Sequence, residues 1–366
     1  MTCPSFLFPI VQQLFGNDHR ETATSLNNLA GLYQSLGEYD KAEPLYQQAL
    51  QISDKVLGHD HPNTIGIVSN SAYLKLDIGK LDEAKLLAKR SYDSSLEILS
   101  KVLSFTSEQQ RLAYEADVMP YTLFAALNGS GPLLANAVIH YKGVVLDSII
   151  EDRLTNEHAS DRGSIERLAA DKMELGQLLL QSSSGSPEDA GVSIQNLEQD
   201  VDRIEGQLAQ QVTALRGTRR AVTVALERVQ AAIPKDAALI EYVRYIHYLG
   251  KGHFEPRYGT ILLLHKDEPC WISLGNAEKI DAAVNRIKSL SSRGVDDEEL
   301  QAKLQTLYES VLAPLQQVLP TQTRRMIICP DGQLNFLSFA TLLDSQKHFI
   351  AERYTLEYVA SGRAIA

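Results

Sequence analysis

The sequence predicts a mainly α N-terminal helical repeat array and helical connector, followed by an incomplete α/β domain. Three observations carry this reading. His19 and His61 stand 42 residues apart (61 − 19 = 42), and at that offset Leu26 meets Val68, Asn28 meets Asn70, Ala30 meets Ala72, Leu32 meets Leu74, Gly37 meets Gly79 and Ala42 meets Ala84. A fixed offset that keeps small residues small and apolar residues apolar marks stacked helical units, because one helix pair cannot bury its own apolar face. Residues 101–217 keep helical spacing without that echo. At Pro234 the texture turns to short β-branched and aromatic runs, which favour strands.

Residues 20–56 read as two helices. Leu26, Leu29, Ala30 and Tyr33 recur at helical spacing, as do Ala42, Leu45, Tyr46 and Ala49. Gly37 between them supplies the turn, since glycine accepts positive φ without steric cost. The linker Gly58-His59-Asp60-His61-Pro62-Asn63 stops the second helix, and Pro62 fits the start of the next. Residues 63–100 repeat the scheme with a weaker second helix. Phe15-Gly16-Asn17-Asp18-His19 parallels Leu57-Gly58-His59-Asp60-His61, so the array is expected to be cut at its N-terminal side.

Farther on, Asn128-Gly129-Ser130-Gly131-Pro132 is a breaker between helices. The following helix carries Val138, Tyr141, Val144, Val145, Ile149 and Ile150 around Lys142-Gly143. Ser182-Ser183-Ser184-Gly185-Ser186-Pro187 reads as a flexible loop. Residues 188–216 then form one long helix, with Ile194, Leu197, Val201, Ile204, Leu208, Val212 and Leu215 spaced as in an antiparallel seam. Strands are expected at 238–243, 260–264 and 270–274, joined as an antiparallel meander by a loop at 250–259 and a turn at Asp267-Glu268-Pro269. Helices follow at 277–290 and 297–319. Arg325-Met326-Ile327-Ile328-Cys329 reads as a buried strand feeding the tight turn Pro330-Asp331-Gly332, with a short helix near 339–343 and a further strand over 349–359.

The totals exclude several functions. A length of 366 residues allows two or three domains, and 44% hydrophobic with 22% charged residues is ordinary for a globular protein. The net charge of −11 argues against general affinity for nucleic acid or an anionic membrane, and the run Arg216, Arg219, Arg220 is too short to reverse this. Three cysteines (Cys3, Cys270 and Cys329) with no zinc-ligand spacing fit a reduced, cytoplasmic location without structural disulfides. The N-terminus has no positive n-region or small-residue cleavage site, and no run approaches the ~18 apolar residues that span a bilayer.

The repeat pattern resembles tetratricopeptide repeats in the 42-residue, kinesin light chain form, with consensus positions on Leu26, Leu29, Ala30, Tyr33, Ala42, Tyr46 and Ala49. A second resemblance lies in Met326-Ile327-Ile328-Cys329-Pro330-Asp331-Gly332-Gln333-Leu334-Asn335-Phe336-Leu337-Ser338-Phe339-Ala340-Thr341-Leu342, which is similar to the middle signature of CHAT domains. These are caspase-like domains commonly attached to tetratricopeptide arrays. The entry helix, loop and strand over 229–243, the Lys142-Gly143 region and Tyr358-Val359-Ala360-Ser361-Gly362-Arg363 resemble other landmarks of that family, in the family's order. The resemblance implies tetratricopeptide repeats over 1–100, a helical connector over 101–217, and the N-terminal part of a CHAT domain over 218–366.

Caspase-like enzymes use a cysteine thiolate and a histidine. The resemblance implies a His-Gly pair and a Ser-Ala-Cys segment downstream of the Pro-Asp-Gly turn. No histidine here precedes a glycine and no cysteine follows Ser-Ala, so no catalytic residue is assigned and the domain is expected to be truncated before its dyad. His265 and Cys329 both end predicted strands, but nothing in the sequence would lower that thiol's pKa. His59 and His61 are close but lie in the repeat linker, short of the three or four ligands a metal needs; no metal or cofactor is expected. In tetratricopeptide repeats the first helix of each pair lines a concave groove, which implies Thr24, Asn27, Asn28, Gln34, Ser69, Asn70 and Tyr73 as the partner-binding face. Asparagine offers donor and acceptor together and can bond an extended peptide backbone; capping or bridging between helices is the other use of such residues. The expected function is therefore a non-catalytic protein–protein interaction module that binds a protein or peptide, with self-association through an exposed sheet edge as a further expectation. The alternative is a fragment of a caspase-like cysteine endopeptidase whose His and Cys lie beyond residue 366.

Overall fold

A computed structural model describes residues 12–117, 121–127, 131–156, 162–182, 189–216, 223–291 and 298–366. The chain divides into two compact units: residues 1–95, 120–142 and 224–366 form the first, and 96–119 with 143–223 the second.

The first unit begins with two helix pairs: α1 (Arg20–Ser35) with α2 (Tyr39–Val56), and α3 (Pro62–Asp77) with α4 (Leu81–Phe105). The 42-residue echo has a direct packing cause. Ala30, Ala42, Ala72 and Ala84 are fully buried, so a larger side chain at any of them would have to displace packed neighbours. Gly37 and Gly79 sit in the two inter-helix turns at φ +76° and +75°, the left-handed backbone that ends a helix and favours glycine. His19 and His61 cap α1 and α3: each Nδ1 accepts the N–H two residues on, from Glu21 at 3.2 Å and Asn63 at 3.1 Å. Pro62 occupies the first turn of α3, where its missing N–H costs nothing.

The same unit contains a five-stranded sheet in the order β3-β2-β1-β4-β5. Its strands are β1 (Ala237–Gly250), β2 (His253–Leu263), β3 (Cys270–Asn276), β4 (Arg325–Cys329) and β5 (Thr355–Tyr358). The first three form the expected antiparallel meander, while β4 and β5 add in parallel. One face of β1, through Ala238, Ile240 and Tyr242, packs with Ile280, Val284, Leu304 and Val311 of the helices that follow the meander. The opposite face carries Leu239 and Glu241, against which Ile139 and the turn at Gly362 lie. Two short helices, Tyr121–Ala126 and Gly131–Tyr141, pack on this sheet-bearing unit.

The structure departs from expectation in two strands. The anticipated loop over 250–259 is only a tip, because β2 starts at His253. Pro256 is tolerated since β3 pairs β2 only from Arg257 onward, leaving Pro256 where β2 has one neighbour. The anticipated strand over 349–359 is shorter. Ile350–Glu352 is a turn of 3-10 helix, with the Glu352 carboxylate accepting the Phe349 N–H at 3.0 Å, and β5 begins at Thr355. The helix expected over 297–319 divides into Glu298–Val311 and Ala313–Gln316, with Pro314 in the first turn of the second.

The second unit is helical. Its elements are the end of α4 and the helices Glu108–Asp117, Val144–Asn156, Arg162–Ser182 and Asp189–Arg216. The last two pack together, and Val201, Ile204, Leu208 and Ala209 form a buried seam. Gly206 approaches the Phe105 carbonyl so closely that a Cβ would lie 3.2 Å from its oxygen. Arg111, 1% exposed, donates to Asp152 at 2.7 Å, Ser148 at 3.1 Å and the Thr106 carbonyl at 3.1 Å. The breaker at 128–130 and the serine-rich segment from Ser183 to Pro187 lie outside the described residues.

Candidate functional site

The face implied for partner binding is built from α1 and α3. Successive repeats are joined across it by the Asn70 Nδ2 donation to Asn27 Oδ1 at 3.0 Å. Asn27 Nδ2 lies 3.4 Å from Asn28 Oδ1, and Asn28 is exposed. Thr24 is exposed, its hydroxyl donating to the Arg20 carbonyl at 3.0 Å; Ser69 pairs with Ser91 Oγ at 2.8 Å. Asn27, Asn28 and Asn70 are thus brought together, and half-buried Asn27 and Asn70 bridge the helices.

Gln34 and Tyr73 are placed differently. Both are buried, and both touch the chain's own β1–β2 hairpin. Asp77, the last residue of α3, is the hub of this contact. Its Oδ2 accepts the Tyr248 hydroxyl at 2.6 Å and Gln34 Nε2 at 2.8 Å, and its Oδ1 accepts the Lys251 N–H at 3.1 Å. Gln34 Nε2 also donates to Tyr248 Oη at 3.0 Å, while Gln34 Oε1 accepts from Tyr46 at 2.9 Å. The Tyr73 ring stands 4.5 Å from that of Tyr248 and 5.2 Å, edge-on, from that of Phe254, distances at which aromatic pairs attract. Burial first, and the Asp77 carboxylate next, push the Tyr248 hydroxyl well above the usual tyrosine value, so it remains a donor. No local pattern marks Asp77 or Tyr248, whose contact spans 171 residues.

A second polar cluster lies under the sheet. Glu241 of β1 is the register partner of Cys329 of β4 and is 1% exposed. Lys142 Nζ donates to Glu241 Oε2 and to the Cys329 carbonyl, each at 2.7 Å. The Gly362 N–H donates to Glu241 Oε1, and Arg363 donates to the Lys142 carbonyl at 2.7 Å. Burial works to lower the Lys142 ammonium, but the charge and hydrogen bond of Glu241 prevail and hold it above the usual lysine value. Burial pushes the Cys329 thiol well up and the Glu241 charge adds to this, against the pull of Lys142. That is the opposite of what a nucleophile needs. His265 points elsewhere, with Nδ1 2.9 Å from the Ile233 carbonyl oxygen.

The Pro-Asp-Gly turn also has a physical account. Asp331 Oδ2 accepts the Arg244 N–H at 2.7 Å and Oδ1 the Gly332 N–H at 2.8 Å, tying the end of β4 to β1. A Cβ on Gly332 would sit 2.4 Å from the Tyr258 hydroxyl, which accepts the Gln333 N–H at 2.9 Å and donates to Asp281 at 2.7 Å. Among the described residues no group of three or more His, Cys, Asp or Glu is placed to hold a metal ion, and no single helix is long and apolar enough to cross a membrane.

Comparison with known families bears on both clusters. Residues 8–50 and 21–97 match the tetratricopeptide repeat, and residues 301–366 match the CHAT domain. The chain therefore carries a tetratricopeptide-repeat region followed by a CHAT-domain region, the latter taking in β4, the Pro-Asp-Gly turn and β5 of an open, mixed sheet. No curated protein matches the chain.

Proposed function

We propose that the chain is a protein-interaction module of tetratricopeptide–CHAT architecture, which binds a protein or peptide along the exposed face of α1 and α3. The observation that carries this is the asparagine ladder: Asn70 and Asn27 are bonded across successive repeats, with Asn28 and Thr24 exposed on the first. Ser69 extends the same face. In this reading residues 1–100 recognise the partner, 101–217 connect, and 218–366 receive the signal. Three cysteines with no disulfide framework in their spacing fit a cytoplasmic setting.

Peptides selected by display against the full chain test the reading. Substituting Asn28→Arg should weaken the selected peptides by about tenfold or more, as expected when a central polar contact is blocked. Peptides indifferent to changes at Thr24, Asn28 and Asn70 would sink it. The open edge of β5, exposed at Thr355, Glu357 and Tyr358, supports self-association as a further part of the reading; sedimentation showing one monomeric species at all concentrations would remove that part.

A second reading is favoured by the CHAT match: a caspase-like cysteine endopeptidase whose catalytic His and Cys lie outside residues 1–366. Reading the coding DNA beyond the last codon tests it directly. An in-frame His-Gly and Ser-Ala-Cys would support the peptidase; a stop codon would end it.

A further inference from the structure

At Gln34 and Tyr73 the face of α1 and α3 is already occupied by the β1–β2 hairpin. The hairpin tip Gly250-Lys251-Gly252 has three successive residues at positive φ, +93°, +51° and +71°, and the middle one is a lysine. A non-glycine residue in that region is strained and persists where its surroundings over-determine it. Here Asp77 takes the Lys251 N–H, and the Gly252 N–H donates to the Tyr248 hydroxyl at 3.2 Å. That hydroxyl uses its full capacity, one donation to Asp77 and two acceptances from Gln34 and Gly252. The Lys251 side chain extends over the Gly37 turn of the first repeat, where a Cβ would be 3.9 Å from its Nζ. The tip therefore meets the turn of the first repeat at Gly37 and the end of the first helix of the second at Asp77. Beside it opens a cleft of about 320 Å³ lined by Leu76, Leu81, Ala126 and Leu127, with Asp77 and Tyr248 at its wall.

We propose that the hairpin tip is a resident ligand of the repeats, and that a partner engages this end of the groove by displacing it. The displacing segment carries an unmodified tyrosine on a tight turn, entering through the cleft. Its hydroxyl replaces that of Tyr248 on Asp77 and its ring stacks on Tyr73. A phosphotyrosine is rejected, because its dianion would face the Asp77 carboxylate. The inference rests on the repeats being a recognition module. It also gives that module a control: β1 runs without a break from Tyr248 back to Glu241, so release at the tip frees the outer end of the strand that holds Lys142.

The test uses a cyclised, fluorescent peptide of residues 245–257 of this chain, titrated into the full-length wild type and into Tyr248→Ala. A tethered ligand acts at an effective concentration in roughly the millimolar range, so the wild type should exclude the peptide, and the variant should bind it at least about tenfold more tightly. The same peptide with phosphotyrosine at position 248 should not bind. Equal binding to both proteins, no binding to the folded variant, or undiminished binding of the phosphopeptide overturns the proposal. A gentler variant, Tyr248→Phe, keeps the ring and removes only the hydroxyl. Amide exchange at Lys251 and Gly252 should then accelerate about tenfold, in keeping with one lost charge-assisted bond; unchanged rates also overturn it. No external partner enters these measurements, so their failure is separate from that of the Asn28→Arg test.

Discussion

Glu241 shows how a single side chain can hold distant segments together. Its two oxygens accept from Lys142 and from the Gly362 N–H, groups 99 and 121 residues away in the chain. Two opposite charges out of water are stable only as a hydrogen-bonded pair, so removing one leaves the other stranded. Glu241→Leu alone should lower stability by about 3–5 kcal/mol in urea unfolding, whereas Lys142→Met with Glu241→Leu should recover most of that loss. Additive costs of the two single changes would contradict the pairing. Burial first, and the Glu241 charge next, keep the neighbouring Cys329 protonated, and it packs as a small buried side chain. Its position at a strand end, which made it a candidate in sequence, follows from β4 being buried through Met326, Ile327, Ile328 and Cys329.

At the scale of elements, the repeats were the most legible part of the chain. Stacked helices impose alanine at fully buried positions and glycine at left-handed turns, and both recur at the 42-residue offset. The paired histidines were visible as an echo, but their work as caps was not, because histidine is an uncommon capping residue and its acceptor lone pair has no sequence signature. His61→Ala should cost about 1 kcal/mol and His61→Asn little or nothing, read from thermal or urea unfolding; equal losses would show that His61 packs rather than caps. Strand β4 was legible as an unbroken apolar run. The meander was legible too, but its tip was not: Gly250, Gly252, Pro256 and Gly259 look like a ten-residue loop, and only pairing to β1 reveals Pro256 and Gly259 as strand residues. The candidate site was half legible. The asparagines of the ladder follow from the repeat register, whereas the burial of Gln34 and Tyr73 depends on Tyr248, and nothing in local pattern encodes a partner 214 residues away from Gln34.

For the molecule as a whole, β1 belongs to two kinds of neighbourhood. It meets β2 across a tip of a few residues, and meets β4 through pairs such as Ala237 with Arg325, 88 positions apart (325 − 237 = 88). These neighbours arrive at very different times during folding. A hairpin closes in roughly 1–10 μs, whereas a parallel pairing must wait for the loop-closure entropy of everything between. Trp271, the only tryptophan, packs 5.3 Å from Tyr245 of β1 and so reports the meander. In stopped-flow refolding its fluorescence should reach the native value before amides of β4 become protected from exchange. Simultaneous recovery of the two signals would contradict that order. If the order holds, the hairpin tip finds Asp77 while the far half of the sheet is still open, and the repeats act as a template on which the slowest strand pairing is later assembled.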